Sequence, residues 1–147
     1  PLESDCAGLA GLTCALLESV PGIRFLRDPT RGGLAATLNE IAEGSRCGVD
    51  IHEKAIPVKP TVQAAADMLG FDVLNAANEG KFVAVVSPDA TDECLRICRD
   101  HPFGRDAAII GEVQDKVGRP GELLLQTAVG GLRLLEPLTS ELLPRIC

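Results

Sequence analysis

The spacing of apolar residues along the chain predicts four amphipathic helices. In each of them the apolar side chains recur every three or four positions, as at Leu34, Leu38 and Ile41, so that they share one face. We expect Asp5 to cap the first helix and Gly44 to end the second. The predicted helices cover residues 6–19, 33–43, 60 or 61 to 69, and 89 or 91 to 100.

Six further segments have the composition of β-strands. The clearest is the apolar, valine-rich segment 81–87. The other five cover residues 23–26, 48–52, 107–114, 122–127 and 132–135, and a turn at 118–121 joins the fourth strand to the fifth. Helices and strands alternate before three consecutive strands close the series. This order predicts an α+β (α/β layered) fold, in which helices pack on a mixed β-sheet.

The composition is typical of a soluble globular domain and disfavours two kinds of partner. Hydrophobic residues make up 46% of the 147 residues, but there are only four Phe and no Trp or Tyr, so the core must be aliphatic. A net charge of -7 argues against nucleic acid, which requires a basic face. No stretch is long enough for a membrane span. Because the chain opens on Pro1 and not on Met, we expect a fragment of a longer protein.

The six cysteines predict free thiols in a reducing compartment, the cytoplasm. They form no repeated C-x-x-C pattern, and a chain this long and aliphatic does not need disulfides to fold. Cys94 and Cys98 are four residues apart on one predicted helix and so share a face. No His accompanies them, which favours buried structural thiols over metal ligands. We therefore predict no metal site on the chain.

Residues 28–33, between a predicted strand and a predicted helix, have the features of an anion site. Gly32 and Gly33 let the backbone approach a ligand, Arg31 offers a fork of donors, and a helix start offers free N–H groups. Asp28 could hold Mg²⁺ or orient Arg31. An alternative interpretation stays open, in which this is a plain turn and Thr30 or Asp28 caps the helix.

A second polar cluster, Asn78-Glu79-Gly80-Lys81, precedes the most apolar strand. A carboxylate such as that of Glu79 at the end of a sheet can be partly desolvated and act in proton transfer. Lys81 is two residues further on and could pair with Glu79 if the segment is extended. The alternative is an ordinary turn that carries an exposed Glu.

The chain ends on a thiol, in Leu143-Pro144-Arg145-Ile146-Cys147. Terminal residues are usually frayed and without function. This tail, however, is apolar and stiffened by proline, which favours a segment that docks and presents Cys147 for reaction. We expect residues 1–136 to form the domain and residues 137–147 to form a flexible tail.

Four segments, taken in this order, resemble the HypE family, the carbamoyl dehydratases of [NiFe]-hydrogenase maturation. They are residues 28–42, 77–81 and 101–111 and the closing Pro-Arg-Ile-Cys. This family is part of the AIR-synthase-like (PurM-like) ATP-binding superfamily. The resemblance runs over essentially the whole chain, and it implies the C-terminal domain of such an enzyme.

The resemblance also implies a reaction. A carbamoyltransferase partner, HypF, would load a carbamoyl group onto Cys147, and ATP-dependent dehydration would convert it to a thiocyanate. The cyanide would then pass to iron on a HypC–HypD complex. Glu79 falls on the family's base or proton relay, and Asp28, Thr30, Arg31, Gly32 and Gly33 fall on a turn that faces nucleotide or tail.

In this family most ligands of ATP and Mg²⁺, and the homodimer contacts, belong to an N-terminal domain that this chain lacks. We therefore expect the fragment alone to be inactive. Two alternatives stay open. One is a non-catalytic module whose tail docks on maturation partners, and the other is a small-molecule kinase or synthetase of the same superfamily.

Overall fold

The computed structural model describes residues 4–115 and 120–136 of the chain. The described residues form four α-helices, six strands and three short 3₁₀ turns. The helices are α1 (Ala10–Ser19), α2 (Gly33–Ser45), α3 (Pro60–Leu69) and α4 (Thr91–Asp100). The strands are β1 (Ile23–Arg27), β2 (Gly48–His52), β3 (Val83–Val86), β4 (Gly111–Gln114), β5 (Leu123–Gln126) and β6 (Leu132–Leu134). The predicted tail, including Cys147, lies outside the described residues, as does part of the predicted turn at 118–121.

The predicted order of helices and strands is confirmed, but several bounds differ. α1 begins four residues later than predicted, with Leu9 and not Asp5 at its N-cap and no side-chain cap. α2 continues through Gly44 and ends at Arg46, which adopts a left-handed conformation with φ of 56°. β4 begins at Gly111, later than the apolar run from residue 107 predicted. These differences concern element ends, where local preferences compete with tertiary contacts.

The strands are divided between two sheets, where the sequence analysis expected one. β1 and β3 form an antiparallel pair. The other four strands form a mixed sheet in the order β4-β2-β5-β6, in which β2 and β5 are parallel and the remaining pairs are antiparallel. The prediction of a mixed sheet with packed helices is therefore confirmed for the larger sheet.

Two aliphatic cores hold these layers together. The first lies between α2 and the four-stranded sheet, and the second between α1 and α4. Fully burying one Leu, Ile or Val side chain contributes about 1.5–3 kcal/mol, and the first core buries seven Leu or Ile residues while the second buries two Leu and one Val. The first core includes Leu38, Ile41, Val49, Ile51, Leu123 and Leu125, and the second includes Leu12, Leu16, Val20, Cys94 and Cys98.

Strand β3 connects the two cores because its side chains alternate in direction. Val83 and Val85 pack against the first core, and Phe82 and Val86 pack against the second. This arrangement fixes the start of β3, and with it the polar cluster that precedes the strand. None of the helices in the described part of the chain is both long and apolar enough to cross a membrane.

Candidate functional site

The two loops that the sequence analysis singled out lie side by side. The backbone N–H of Asn78 donates to the carbonyl oxygen of Pro29 at 3.1 Å. Thr30 Oγ1 donates to Asp28 Oδ2 at 2.8 Å and lies 3.5 Å from the carbonyl oxygen of Asn78. Loop 28–33 and loop 76–81 are therefore joined by main-chain contacts, although they are about 50 residues apart in the sequence.

The first turn of α2 begins without a side-chain cap. Gly32 is the N-cap residue, with φ of 68°, and no side chain accepts from the first turn. Thr30 donates its hydroxyl to Asp28, so neither of these residues caps the helix. The prediction that Thr30 or Asp28 caps this helix is thus wrong. The N–H groups at a helix start, next to the exposed Arg31, suit an anion.

The two glycines of this loop have structural roles. Gly32 and Gly33 both have positive φ, 68° and 66°, where residues with a side chain are strained. A Cβ at Gly33 would also come within 2.6 Å of the carbonyl oxygens of Leu74 and Ala76. The close backbone contact that a glycine allows at position 33 is thus made with another segment of the same chain. A contribution of either glycine to ligand binding stays a prediction.

Glu79 is exposed, and it is not paired with Lys81 as the sequence analysis suggested. Lys81 Nζ instead donates to Asp5 Oδ2 at 2.8 Å. Within residues 4–115 and 120–136, the side chains of Glu79 and Arg31 form no ion pair. The exposure of Glu79 fits the alternative of an ordinary turn, the predicted partial desolvation is not seen among the described residues, and its role in proton transfer stays a prediction.

An N-terminal segment, residues 5–7, completes the site and was missed by sequence reasoning. A Cβ at Gly80 would overlap the carbonyl oxygen of Asp5 and lie 3.0 Å from the backbone nitrogen of Ala7. Burial raises the pKa of Asp5, but the hydrogen bond and charge of Lys81, with a backbone hydrogen bond from Glu79, outweigh it and lower that pKa below its usual value. In the sequence, Gly80 is the one local feature that indicates this close contact with Asp5.

Two cysteines and two histidines have other contacts. Cys94 and Cys98 are buried in the second core, as predicted. Burial raises the pKa of both thiols, and for Cys98, where the neighbouring Cys94 adds to the effect, to about 11. His52 Nδ1 lies 2.6 Å from Gln126 Oε1, and His101 Nδ1 accepts from the backbone of Phe103. In the described part of the chain, no three His, Cys, Asp or Glu side chains come together as a metal site.

Known proteins resemble this chain over nearly its full length. A carbamoyl dehydratase HypE of Bradyrhizobium diazoefficiens is 51% identical over 148 residues, which cover 99% of this chain and 42% of that protein. A crystal structure of the hydrogenase maturation protein HypE in complex with ATP matches with a TM-score of 0.91 and 42% identity, over 98% of this chain and 44% of that one. A HypE–HypF complex matches with a TM-score of 0.85 and 41% identity, over 92% and 43%.

This chain thus spans less than half the length of the curated relatives it matches. The fold and the family expected from the four sequence segments are confirmed by these similarities. The family model described as AIR synthase related protein, C-terminal domain, matches residues 9–120, which are most of the chain. The chain therefore belongs to the AIR synthase related protein family, as a C-terminal domain.

Proposed function

We propose that this chain is the C-terminal half of an ATP-dependent carbamoyl dehydratase that makes cyanide for the iron of [NiFe]-hydrogenase. One observation carries the proposal, namely 51% identity to a carbamoyl dehydratase over 99% of this chain. The juxtaposition of loops 28–33 and 76–81 supports it, because it joins the loop that carries Arg31 to the loop that carries Glu79, and neither side chain forms an ion pair within the described residues. The combination suits proton removal next to a phosphorylated group.

The proposed reaction begins with a carbamoyl group on the thiol of Cys147. The carboxamide oxygen attacks the terminal phosphorus of ATP, ADP leaves, and one N–H proton is lost. The C–O bond then breaks, the oxygen departs with phosphate, and the second N–H proton is lost to give S–C≡N. Amide oxygen is a poor leaving group until it is phosphorylated, and each proton needs an acceptor. Glu79 is the proposed base or relay.

The loop at residues 28–33 is proposed to face the nucleotide. The guanidinium of Arg31 suits phosphate oxygens, and the uncapped start of α2 adds N–H groups. Asp28 and Thr30 offer oxygen atoms of the kind that Mg²⁺ prefers. One carboxylate is not a coordination set, however. We therefore propose that most ligands of ATP and Mg²⁺ come from an N-terminal domain of the full-length protein.

The partners proposed for the full-length protein follow its relatives. A HypE–HypF complex among the matching structures supports a carbamoyltransferase HypF as the donor. A HypC–HypD complex is the proposed acceptor of cyanide, and homodimerisation is assigned to the N-terminal domain. The free thiols of the described residues suit the cytoplasm, where we place the protein.

The test follows the mass of the Cys147 peptide in the full-length protein. With carbamoyl phosphate, ATP and the carbamoyltransferase, the peptide should gain one carbamoyl group and then lose one water. Cys147→Ala should abolish both changes, whereas Cys14→Ala, at an exposed thiol on α1, should retain them. Glu79→Gln should leave loading intact and slow water loss by about 10²–10⁴-fold, the usual contribution of a general base.

The controls separate this function from the two alternatives. Glu18→Gln, at another exposed glutamate, should dehydrate at the rate of the unmodified protein. A Cys147 peptide that is never carbamoylated would favour a docking module. Nucleotide-dependent phosphorylation of a small molecule that survives removal of Cys147 would favour a kinase or synthetase.

A further inference from the structure

We infer that Asp5 is a positioning residue for Glu79: it holds Lys81 away from the Glu79 carboxylate and fixes the backbone that carries it. The inference rests on the proposed function, in which Glu79 removes protons from the carbamoyl nitrogen. It adds a residue outside the two loops that the sequence analysis connected with chemistry.

The geometry places Asp5 against Gly80 and Lys81, the two residues that follow Glu79 in the chain. Its carboxylate accepts from Lys81 Nζ at 2.8 Å. Its carbonyl oxygen lies where a Cβ at Gly80 would be, so these two backbones are in direct contact. On the other side, Asn78 is bound to Pro29 through its N–H. The main chain at Glu79 is thus held from both directions.

The charges give Asp5 its second role. Lys81 carries its ammonium on a flexible four-carbon stem only two residues from Glu79. An ammonium bound to a carboxylate favours its charged form, so Lys81 bound to Glu79 would weaken this residue as a base. In the structure, the ammonium of Lys81 is paired with Asp5, and Glu79 forms no ion pair within residues 4–115 and 120–136.

Five other titratable side chains lie on the segment of Glu79 or on the described segments in contact with it. The N-terminal segment brings Asp5 and Cys6, and Lys81 lies on the segment of Glu79 itself. The loop bound to Asn78 brings Asp28, whose Oδ2 accepts from Thr30, and the exposed Arg31. The last two are unchanged by substitution at position 5, and the direct effect of the Asp5 charge is measured by comparing Lys81→Met with the double variant described below.

An ordinary surface ion pair is the competing explanation. The side chains of Asp5 and Lys81 are 38% and 49% exposed, and pairs of this kind add little to stability. A merely structural pair predicts that loss of either partner has the same small effect, with no change in the pH dependence of dehydration. The positioning role predicts that loss of Asp5 is harmful only while Lys81 is present.

The experiment measures the single-turnover rate of water loss from carbamoylated Cys147 in the full-length protein, between pH 5 and pH 9. Asp5→Asn keeps the side-chain size but removes the charge, so Lys81 is released toward Glu79. We expect the rate at pH 7 to fall about 10-fold or more, as for other misplaced catalytic groups. We expect the acid limb of the profile to move down by about one pH unit, since an opposite charge lowers a carboxyl pKa.

Three further variants make the result decisive. Asp5→Glu keeps the charge and should keep the acid limb of the wild-type protein. Lys81→Met and the double variant Asp5→Asn/Lys81→Met should share one profile, with the acid limb again at the wild-type position. This last comparison does not require Asp5→Asn alone to fold, and thermal unfolding of every variant shows which are folded.

Each outcome bears on one of the two proposals. A wild-type protein that carbamoylates Cys147 but never loses water would overturn the proposed dehydration, and this inference with it. If the wild-type protein dehydrates but a folded Asp5→Asn has an unchanged profile, only the inference is overturned. The same holds if the profiles of Lys81→Met and the double variant differ.

Discussion

Gly33 lies directly against the carbonyl oxygen of Ala76. A Cβ built on Gly33 would come 2.5 Å from this oxygen, which is closer than non-bonded atoms approach. The same glycine has φ of 66°, so it is the left-handed start of α2 as well. One residue without a side chain thus joins the loop at 28–33 to the loop that carries Glu79.

We predict that Gly33→Ala destabilises the protein. The left-handed conformation costs a residue with a side chain about 1–2 kcal/mol. The backbone of residues 74–76 must also shift, and overpacking of this kind costs a further ~1–3 kcal/mol. The free energy of unfolding, measured by urea denaturation, should therefore fall by about 2–4 kcal/mol.

Gly44→Ala is the matched control on the same helix. A Cβ at Gly44 meets nothing within 4 Å, and its φ is not positive. Alanine in a helix interior is favoured over glycine by about 0.5–1 kcal/mol, so this variant should be slightly more stable. Equal effects of the two substitutions on the urea midpoint would contradict the role assigned to Gly33.

The order of elements could be predicted because each has a clear period. α2 places Leu38, Ile41 and Ala42 on one face, and the burial of these residues follows that pattern. The first helix start was wrong because Asp5 has a high intrinsic preference for N-caps. A partner 76 residues away, Lys81, competes for its carboxylate in the folded protein.

The pairing of strands could not be predicted from periodicity. Alternation shows that β1 and β3 are strands, but it contains no information about their partners. The division into two sheets depends on tertiary packing, since Val83 and Val85 of the two-stranded sheet pack against the same core as Val49 and Leu123 of the four-stranded sheet.

The candidate site was predicted residue by residue only through a family resemblance. Composition alone could not predict the hydrogen bond between Pro29 and Asn78. This bond depends on how α2, which lies between them in the sequence, packs in the fold. The position of Asp5 had no sequence signal apart from Gly80. Cys147, the predicted reactive group, lies outside the described residues, and its role stays a prediction.

A second prediction concerns Gly80 and the N-terminal segment. Gly80→Ala would drive a methyl group into the backbone of Asp5, so the segment must move away. We expect amide hydrogens of residues 5–9 to exchange faster with deuterium, and the free energy of unfolding to fall by about 1–3 kcal/mol. Gly8→Ala adds a methyl group in open space and should leave exchange unchanged. If the amide hydrogens of residues 5–9 exchanged as slowly in Gly80→Ala as in the wild-type protein, the contact between Gly80 and Asp5 would be contradicted.

A third prediction concerns the reactivity of the thiols. Cys6 and Cys14 are exposed, whereas Cys94 and Cys98 are buried. The thiolate is the reacting form, and at pH 8 a thiol with a pKa of about 11 has roughly 100-fold less thiolate than an ordinary cysteine. Peptide mass analysis after iodoacetamide should therefore find Cys6 and Cys14 modified first. Early modification of Cys98 in the folded protein would contradict its burial.

The raised pKa of Cys98 also predicts how stability depends on alkaline pH. In the unfolded chain this thiol ionises near its ordinary pKa of about 8.5, whereas burial and the neighbouring Cys94 keep it protonated up to about pH 11 in the folded protein. Its contribution to stability is therefore complete below about pH 8.5 and is lost as pH rises toward 11, by up to about 3 kcal/mol. Urea unfolding at a series of pH values should show this decline. Cys98→Ala should flatten the decline and Cys14→Ala should not, because Cys14 is exposed; the same slope in both variants would show that other groups cause it.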